Sequence, residues 1–176
     1  MDPISIVILI AMPFLITFAW GGISAAPWVP TLRVDRENLL KNLEFKPGQI
    51  VYDLGCGDGS VLFAIARLQP KIKAIGYEIS LLPFLIAVAR KYFGGYTNVS
   101  IRYRDFFKAP INDADVVFSF LLAKSYPRLI KKFTKELKPE ALLIVEAWPL
   151  PETKPEKTLT SKGLLPIYLY LGSQFK

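Results

Sequence analysis

The chain predicts a mostly parallel α/β sheet with helices on both faces, preceded by an N-terminal transmembrane helix. Three observations carry this. Short β-rich apolar runs alternate with helix-length segments from residue 35 onward, a glycine-rich turn at Gly55–Gly59 joins the first strand to its helix, and Ile4 to Ala26 runs for twenty-three residues, seventeen of them apolar, without a charge. Strands alternating with helices imply crossover connections, and therefore parallel pairing with both sheet faces covered. With 52% hydrophobic and 21% charged residues, the 176-residue chain is richer in apolar side chains than an ordinary soluble domain. The excess lies largely in residues 4–26, which leaves 144 residues from Arg33 to Lys176 for one globular unit.

A helix needs about 20 apolar residues to cross a bilayer core, and residues 4–26 supply them, with Trp20 and Trp28 near the far end where amphipathic rings favour headgroups. Pro13 is tolerated in lipid as a kink. The rival is a cleaved signal peptide, for which Ser24, Ala25 and Ala26 offer a site, but Asp2 stands where such a peptide carries positive charge, so a retained anchor is the reading. Residues 1–32 contain no Lys or Arg, whereas Arg33, Arg36, Lys41 and Lys46 follow the span; the positive-inside rule then makes the chain single-pass with its C-terminal domain in the cytoplasm. The sequon Asn98-Val99-Ser100 is accordingly read as chance. This divides the chain into an anchor (1–26), a linker or pre-core segment (27–34) and a main domain (35–176).

Along that domain, Asp35–Leu43 reads as a short helix with Asp35 as N-cap, closed by Lys46-Pro47-Gly48. Ile50–Leu54 is a buried strand entering the glycine turn, and Ser60–Leu68 the helix after it. Ile72–Tyr77 is the second strand, and Leu81–Tyr92 a helix that tolerates Pro83 in its first turn. Val99–Tyr103, Asp115–Phe120 and Ala141–Ala147 are further strands, with a helix over Lys124–Leu137. Leu165–Leu171 closes the sheet after the proline-rich loop Trp148–Pro155.

Composition removes several chemistries. With no histidine, Ser-His-Asp and Cys-His catalysis and imidazole metal sites are excluded, and no metal is expected. The single cysteine, Cys56, forms neither an internal disulfide nor a thiolate cluster, which fits a reducing compartment; with no base to form its thiolate it is not read as a nucleophile. The net charge of +7 points to an anionic neighbour, a membrane surface or nucleic acid.

The most informative stretch is Val51-Tyr52-Asp53-Leu54-Gly55-Cys56-Gly57-Asp58-Gly59-Ser60. In an open parallel sheet the ligand lies outside the carboxyl ends of the strands, and glycines at the first turn let it approach the backbone. Glu78, at the end of the second strand, is placed to accept hydrogen bonds from ribose hydroxyls. A dinucleotide would share these features, but Ser60 stands where its fingerprint wants a third glycine, one place beyond Gly59, and Asp53 and Asp58 would repel a pyrophosphate. S-adenosyl-L-methionine carries an ammonium and a sulfonium instead, and acids attract it.

The run VYDLGCGDGS, the Glu of GYEIS, Asp105-Phe106 after the third strand and the order of elements through ELKPEALLIVEAW together resemble a class I S-adenosyl-L-methionine-dependent methyltransferase, a Rossmann-like fold. The resemblance implies that Asp53 and the backbone of Gly55, Cys56, Gly57, Asp58 and Gly59 hold the methionine end, Glu78 the ribose and Asp105 the adenine amine, with Phe106 beside the adenine ring. An N-terminal apolar segment, then Ala26-Pro27-Trp28-Val29-Pro30-Thr31, a short helix and VYDLGCGDGS is similar, more narrowly, to the membrane-anchored protein-lysine methyltransferases. Eukaryotic members act on the adenine nucleotide translocase and the ATP synthase c subunit. That family implies a protein lysine as acceptor, in a partner at the membrane, with the bilayer contacted through residues 4–26.

At the end of the strand Asp115–Phe120, methyltransferases acting on adenine or glutamine amides resemble one another in an Asn-Pro-Pro-Tyr run; Ser119-Phe120-Leu121-Leu122 stands here, which argues against those acceptors. Lysine, a lipid headgroup, a quinone or another small molecule stays open. Candidates for the acceptor slot are Trp28, Pro30, Ser119, Phe120 and Trp148, each aromatic being equally accountable as core packing. The helix from Lys124 presents Lys124, Arg128, Lys131, Lys132 and Lys135 as a basic face, read as a solvated exterior with anionic lipid as the functional alternative. No stacking module supports nucleic acid. A dinucleotide-binding oxidoreductase and a non-catalytic membrane adaptor are the readings from other classes.

Overall fold

A computed structural model describes residues 2–176. Helix α1 (Pro3–Ser24) has Asp2 as N-cap, its Oδ1 accepting from the Ser5 N–H at 2.9 Å, and continues through Pro13. It is long and apolar enough to cross a membrane, and almost none of it is buried. After a pre-core segment and α2 (Arg33–Asn42) come β1 (Ile50–Leu54), α3 (Ser60–Leu68), β2 (Lys73–Glu78), α4 (Leu81–Phe93), β3 (Val99–Tyr103), β4 (Val116–Ser119), a 3-10 turn at Ala123–Ser125, α5 (Tyr126–Glu136), β5 (Leu142–Glu146), β6 (Lys157–Leu159) and β7 (Ile167–Leu171).

The strands form one seven-stranded sheet of order β3-β2-β1-β4-β5-β7-β6. The first five are parallel; β7 runs antiparallel to β5 and β6 antiparallel to β7. The expected strand after the proline-rich loop is thus present and reversed. The three-residue β6, bounded by an exposed Lys157 and Thr158, escapes a periodicity reading because it is too short to alternate.

Two apolar layers sandwich the sheet. Under α2 and α3, Leu39, Val61, Leu62, Ile65 and Phe118 pack with the small side chains Ala74 and Ala87. On the other face Leu54, Tyr77, Leu129, Phe133, Val145 and Tyr170 pack with the loop Phe106–Ala114. Side chains alternate along a strand, and the register Asp53↔Phe118↔Ile144 sets Asp53, Phe118 and Ile144, and Glu146 two residues further, on the α3 side. The strand order reverses between β1 and β4, where such a sheet opens a crevice at its carboxyl edge.

Two local expectations are corrected. The N-cap of α2 is Leu32, and Asp35 lies in the first turn, buried, its carboxylate accepting from the Leu165 N–H at 2.9 Å. A tertiary partner therefore takes the oxygen that a capping role would need. Lys132 belongs to no solvated basic face: it is 5% exposed, donates to the Ala109 carbonyl at 2.5 Å and pairs with Glu136 at 2.8 Å. Lys124 and Arg128 reach instead for the last carbonyls of α1, on Gly22 (2.5 Å) and Ser24 (3.5 Å), as cations do at a helix C-terminus.

Removing one partner of a buried ion pair strands the other charge, which costs about 3–5 kcal/mol, whereas replacing both with apolar groups is near neutral. Glu136→Ala is expected to lower stability by about that amount in urea titrations of the detergent-solubilised chain, and Lys132→Met with Glu136→Leu to restore part of it, since the Ala109 carbonyl and the Ile111 N–H also lose their partners. Equal losses in the single and double variants would contradict this account.

Candidate active site

The cleft at the carboxyl edge is built where β1 ends. Asp53 is the penultimate residue of the strand, and the chain then turns through Gly55–Gly59 into α3. Gly59, the residue before α3, holds φ 74°, and Gly57 holds φ 54°, backbone that glycine adopts at little cost. At Gly57 close approach matters as well, because a Cβ there would lie 2.7 Å from the Trp28 ring. The pre-core segment thus lies directly on the glycine turn.

One cleft is lined by Asp53, Gly55, Cys56, Gly57 and Asp58 from the turn, Glu78 from β2, Phe106, and Phe120 with Leu121 after β4. Its roof comes from outside the main sheet: Gly21, Ala25 and Ala26 at the end of α1, then Trp28, Pro30 and Thr31. Of the residues singled out by sequence, Gly59, Asp105, Ser119 and Trp148 do not line it. Asp105 Oδ1 accepts from the Phe107 N–H at 2.9 Å within its own loop. Ser119 is fully buried, its hydroxyl unpartnered among the described residues. Trp148 is 44% exposed and stacks on Phe120 with centroids 6.2 Å apart.

The polar groups are strongly biased in sign. Glu78 is organised by three backbone donors, Gly57 N–H to Oε2 at 2.8 Å and Ile79 and Ser80 N–H to Oε1 at 2.8 and 2.7 Å. Asp53 is 3% exposed; burial first, then Glu78, Glu146 and Asp58, hold its carboxyl well above the usual carboxylate range. Cys56 packs on Gly76, and burial next to Asp53 and Glu78 pushes its thiol up, which keeps it from acting as a thiolate. Asp58 differs from the expectation that both loop acids face the ligand uncompensated: it pairs with Arg90 of α4 and caps Ser60 N–H at 3.1 Å. The repulsion of a pyrophosphate therefore falls mainly to Asp53 and Glu78, and among the described residues no Lys or Arg lines the cleft.

Glu146 at the end of β5 carries chemistry that the sequence pattern did not flag. It is fully buried; Oε2 accepts from the Thr31 hydroxyl at 3.3 Å, and Oε1 has no partner among the described residues. Burial first, and Asp35 second, raise its pKa from 4.5 to about 7, the Thr31 bond opposing them. The next residue, Ala147, has φ 76°, a left-handed backbone rarely held by a non-glycine residue away from special sites. An acidic residue at the end of an otherwise apolar strand, LLIVE, was the available signal.

The cleft suits S-adenosyl-L-methionine: buried carboxylates meet positive groups, glycine backbone admits close approach, and Trp28 Nε1–H, buried with no acceptor among the described residues, is a donor for a carboxylate such as that of the methionine end. The RNA methyltransferase from Salinibacter ruber in complex with S-adenosyl-L-homocysteine superposes with a TM-score of 0.76 at 25% identity, covering 81% of this chain and 93% of that one. Fold and cleft together thus define an S-adenosyl-L-methionine-dependent methyltransferase.

Residues 53–157 match the model of the ANTKMT methyltransferase domain. A protein-lysine N-methyltransferase of Saccharolobus islandicus is 32% identical over 154 residues, 85% of this chain and 96% of that protein. The human lysine N-methyltransferase for the ATP synthase c subunit is 28% identical, covering 85% of this chain and 63% of its own length; the mouse adenine nucleotide translocase lysine N-methyltransferase is 32% identical, covering 73% and 56%. The chain spans less than two thirds of those two mammalian relatives. It belongs to the ANTKMT methyltransferase domain family.

A carboxyl group whose pKa burial has raised is shifted back toward its charged form by pairing with an ammonium, so cofactor binding is expected to release protons where that group titrates and to strengthen as pH rises. Calorimetric titration with S-adenosyl-L-methionine in buffers of different ionisation enthalpy measures that release. Asp53→Asn is expected to abolish it and to weaken binding by about tenfold or more, given about 1.5–3 kcal/mol for a hydrogen bond to a charged group; unchanged binding in the variant would sink the assignment.

Proposed function

We propose that the chain methylates the side-chain amine of a lysine in a protein held at a membrane, with α1 as a retained anchor and the catalytic domain on the cytoplasmic face. The protein-lysine methyltransferases among its relatives support the acceptor class. One structural observation carries the reading furthest: the buried, half-unpartnered Glu146 stands between Thr31, in the wall of the cofactor cleft, and Asp35, in the wall of a neighbouring groove. That groove is otherwise apolar, lined by Val29, Pro30, Leu32, Phe120, Leu164 and Leu165, and it shares Val29, Pro30 and Phe120 with the cofactor cleft. Apolar walls ending at the Asp35 carboxylate, with the buried Glu146 behind it, suit four methylenes capped by an ammonium.

In this reading Asp53 takes the cofactor's ammonium, Glu78 the ribose hydroxyls, and Phe106 lies along the adenine, with Asp105 Oδ2 left for the adenine amine. Bound there, S-adenosyl-L-methionine supplies an electrophilic methyl group whose sulfur leaves as a neutral thioether. The chain's own task is to present a neutral amine in line with that methyl. Glu146, as carboxylate, receives the proton that the lysine ammonium must lose before its lone pair can attack. Phe120, with Trp148 stacked behind it, and Trp28 exclude water from the junction of cleft and groove.

Incubating membranes with methyl-labelled cofactor and analysing the labelled species by mass spectrometry tests the acceptor. Methyllysine in protein is the expected product, and label confined to extracted lipid or quinone would overturn the reading. Glu146 must be ionised to accept a proton, so kcat/KM is expected to climb to a break near pH 7; Glu146→Gln should lose the break and about 10²-fold or more in rate. The same variant separates function from folding. A carboxyl raised from 4.5 to about 7 in the folded state withdraws about 3 kcal/mol of stability as pH rises through that window, so Glu146→Gln should unfold later than the parent at pH 8 and not at pH 4.

A further inference from the structure

Helix α4 carries a stripe that the fold leaves uncovered. Leu82, Leu85 and Val88 are 46%, 45% and 38% exposed, and Tyr92 and Phe93 81% and 85%. At about 100° per residue these five fall within a sector of about 140°, while Pro83 and Ala87, on the opposite side, are buried. Arg90 and Lys91 bound the stripe on its two edges. A contiguous apolar surface of this kind marks an interaction site.

The seating of α1 says what covers it. The Thr17 hydroxyl accepts from Leu81 N–H at 3.1 Å, and Ser80 Oγ donates to the Thr17 carbonyl at 3.4 Å. A side chain at Gly21 would place its Cβ 2.5 Å from Ser80 Oγ, so the two helices touch backbone to side chain. These contacts pin the first turn of α4 to a point seven residues before the end of α1, about 10 Å along its axis at 1.5 Å per residue. A helix of 22 residues is about 33 Å long and a bilayer's hydrocarbon core about 30 Å thick, which leaves almost no helix to spare outside the core. With α1 spanning, the start of α4 is carried into the boundary layer of the membrane, where a polar exterior would be unfavourable. Its exterior is apolar.

We propose that α4 is a second membrane contact, lying in the interfacial layer of the bilayer that α1 crosses, with its stripe toward the acyl chains and Lys91 at the level of anionic headgroups, Arg90 staying paired with Asp58. The proposal rests on the reading of α1 as an anchor and goes beyond it, because it fixes the orientation of the domain. Ile79 and Ser80, which precede α4, and Gly21 and Ala25 of the α1 end all line the cofactor cleft. The cleft therefore opens at the membrane surface, and the acceptors within reach are amines close to the headgroups.

Single nitroxides at Leu15→Cys, Ala89→Cys and Lys154→Cys in the full chain, reconstituted into phosphatidylcholine–phosphatidylglycerol vesicles, test it by collision with oxygen and with a water-soluble nickel complex. Ala89 lies in the stripe, and the buried Cys56 of the parent chain sets the labelling background. Positions 15 and 89 should both gain oxygen collisions and lose nickel collisions, position 154 retaining nickel access. A lipid-like position 15 with a water-like position 89 would overturn the proposal and leave the anchor standing; a water-like position 15 would overturn the anchor and the proposal with it. Spin–spin broadening at position 89 that unlabelled chain dilutes away would show a second copy on the stripe, which also overturns it.

Discussion

Everything at the carboxyl edge of this sheet depends on negative charge that the protein does not neutralise where it lies. Asp53, Glu78 and Glu146 are each less than a tenth exposed, they stand on the same face of neighbouring strands, and no cation lines the cleft among the described residues. Transferring one isolated carboxylate into such surroundings costs several kcal/mol even after relaxation. The fold meets that cost in three ways. Glu78 is given three backbone donors, burial raises the pKa of Asp53 well above the usual carboxylate range, and Glu146 is left with a single weak hydroxyl donor and a pKa near 7. Only a cationic ligand relieves the remainder. An ammonium-bearing cofactor is complementary to that surplus, and so, in the proposed reading, is an ammonium-bearing acceptor.

The parts of this arrangement that were legible in sequence are the parts fixed by local rules. Val51 to Ser60 announces a strand, a tight turn and a helix because glycine spacing and apolar runs act within ten residues. Glu78 follows at the end of the next strand for the same reason. What the pattern hid is settled by contacts across the chain. Asp35 has the chemistry of an N-cap, yet Leu165, 130 residues on, claims its carboxylate. Lys132 has the periodicity of a surface residue, yet Glu136 and the Ala109 carbonyl bury it. Glu146 is set apart from any glutamate at a strand end only by Thr31, 115 residues earlier, and by what β7 packs beside it.

The segment from Gly21 to Thr31 is where anchor, cofactor cleft and acceptor groove become one object. Gly21, Ala25 and Ala26 close the cleft from the end of α1; Trp28 lies on Gly57; Val29 and Pro30 stand in both cavities; Thr31 binds Glu146. None of these residues belongs to the α/β sheet, and a strand-by-strand reading treats them as a connector. Their burial contradicts that reading: Gly21, Ala25 and Thr31 are as inaccessible as core positions.

This arrangement constrains how target choice can work. In the proposed reading, discrimination among acceptors comes from the groove and from where the groove is held. The proposed tethering would confine the enzyme to a layer a few nanometres thick and raise the effective concentration of any amine in that layer, with no added contact. A roof made from the tether itself adds a second filter. Thr17 and Gly21 seat α1 on the start of α4, and the same segment lays Trp28 on the glycine turn and Thr31 on Glu146, so in the proposed reading the seat of the anchor is coupled to the cofactor cleft and to the proposed proton acceptor. In that reading, position relative to the membrane and competence for methyl transfer become a single property of the chain.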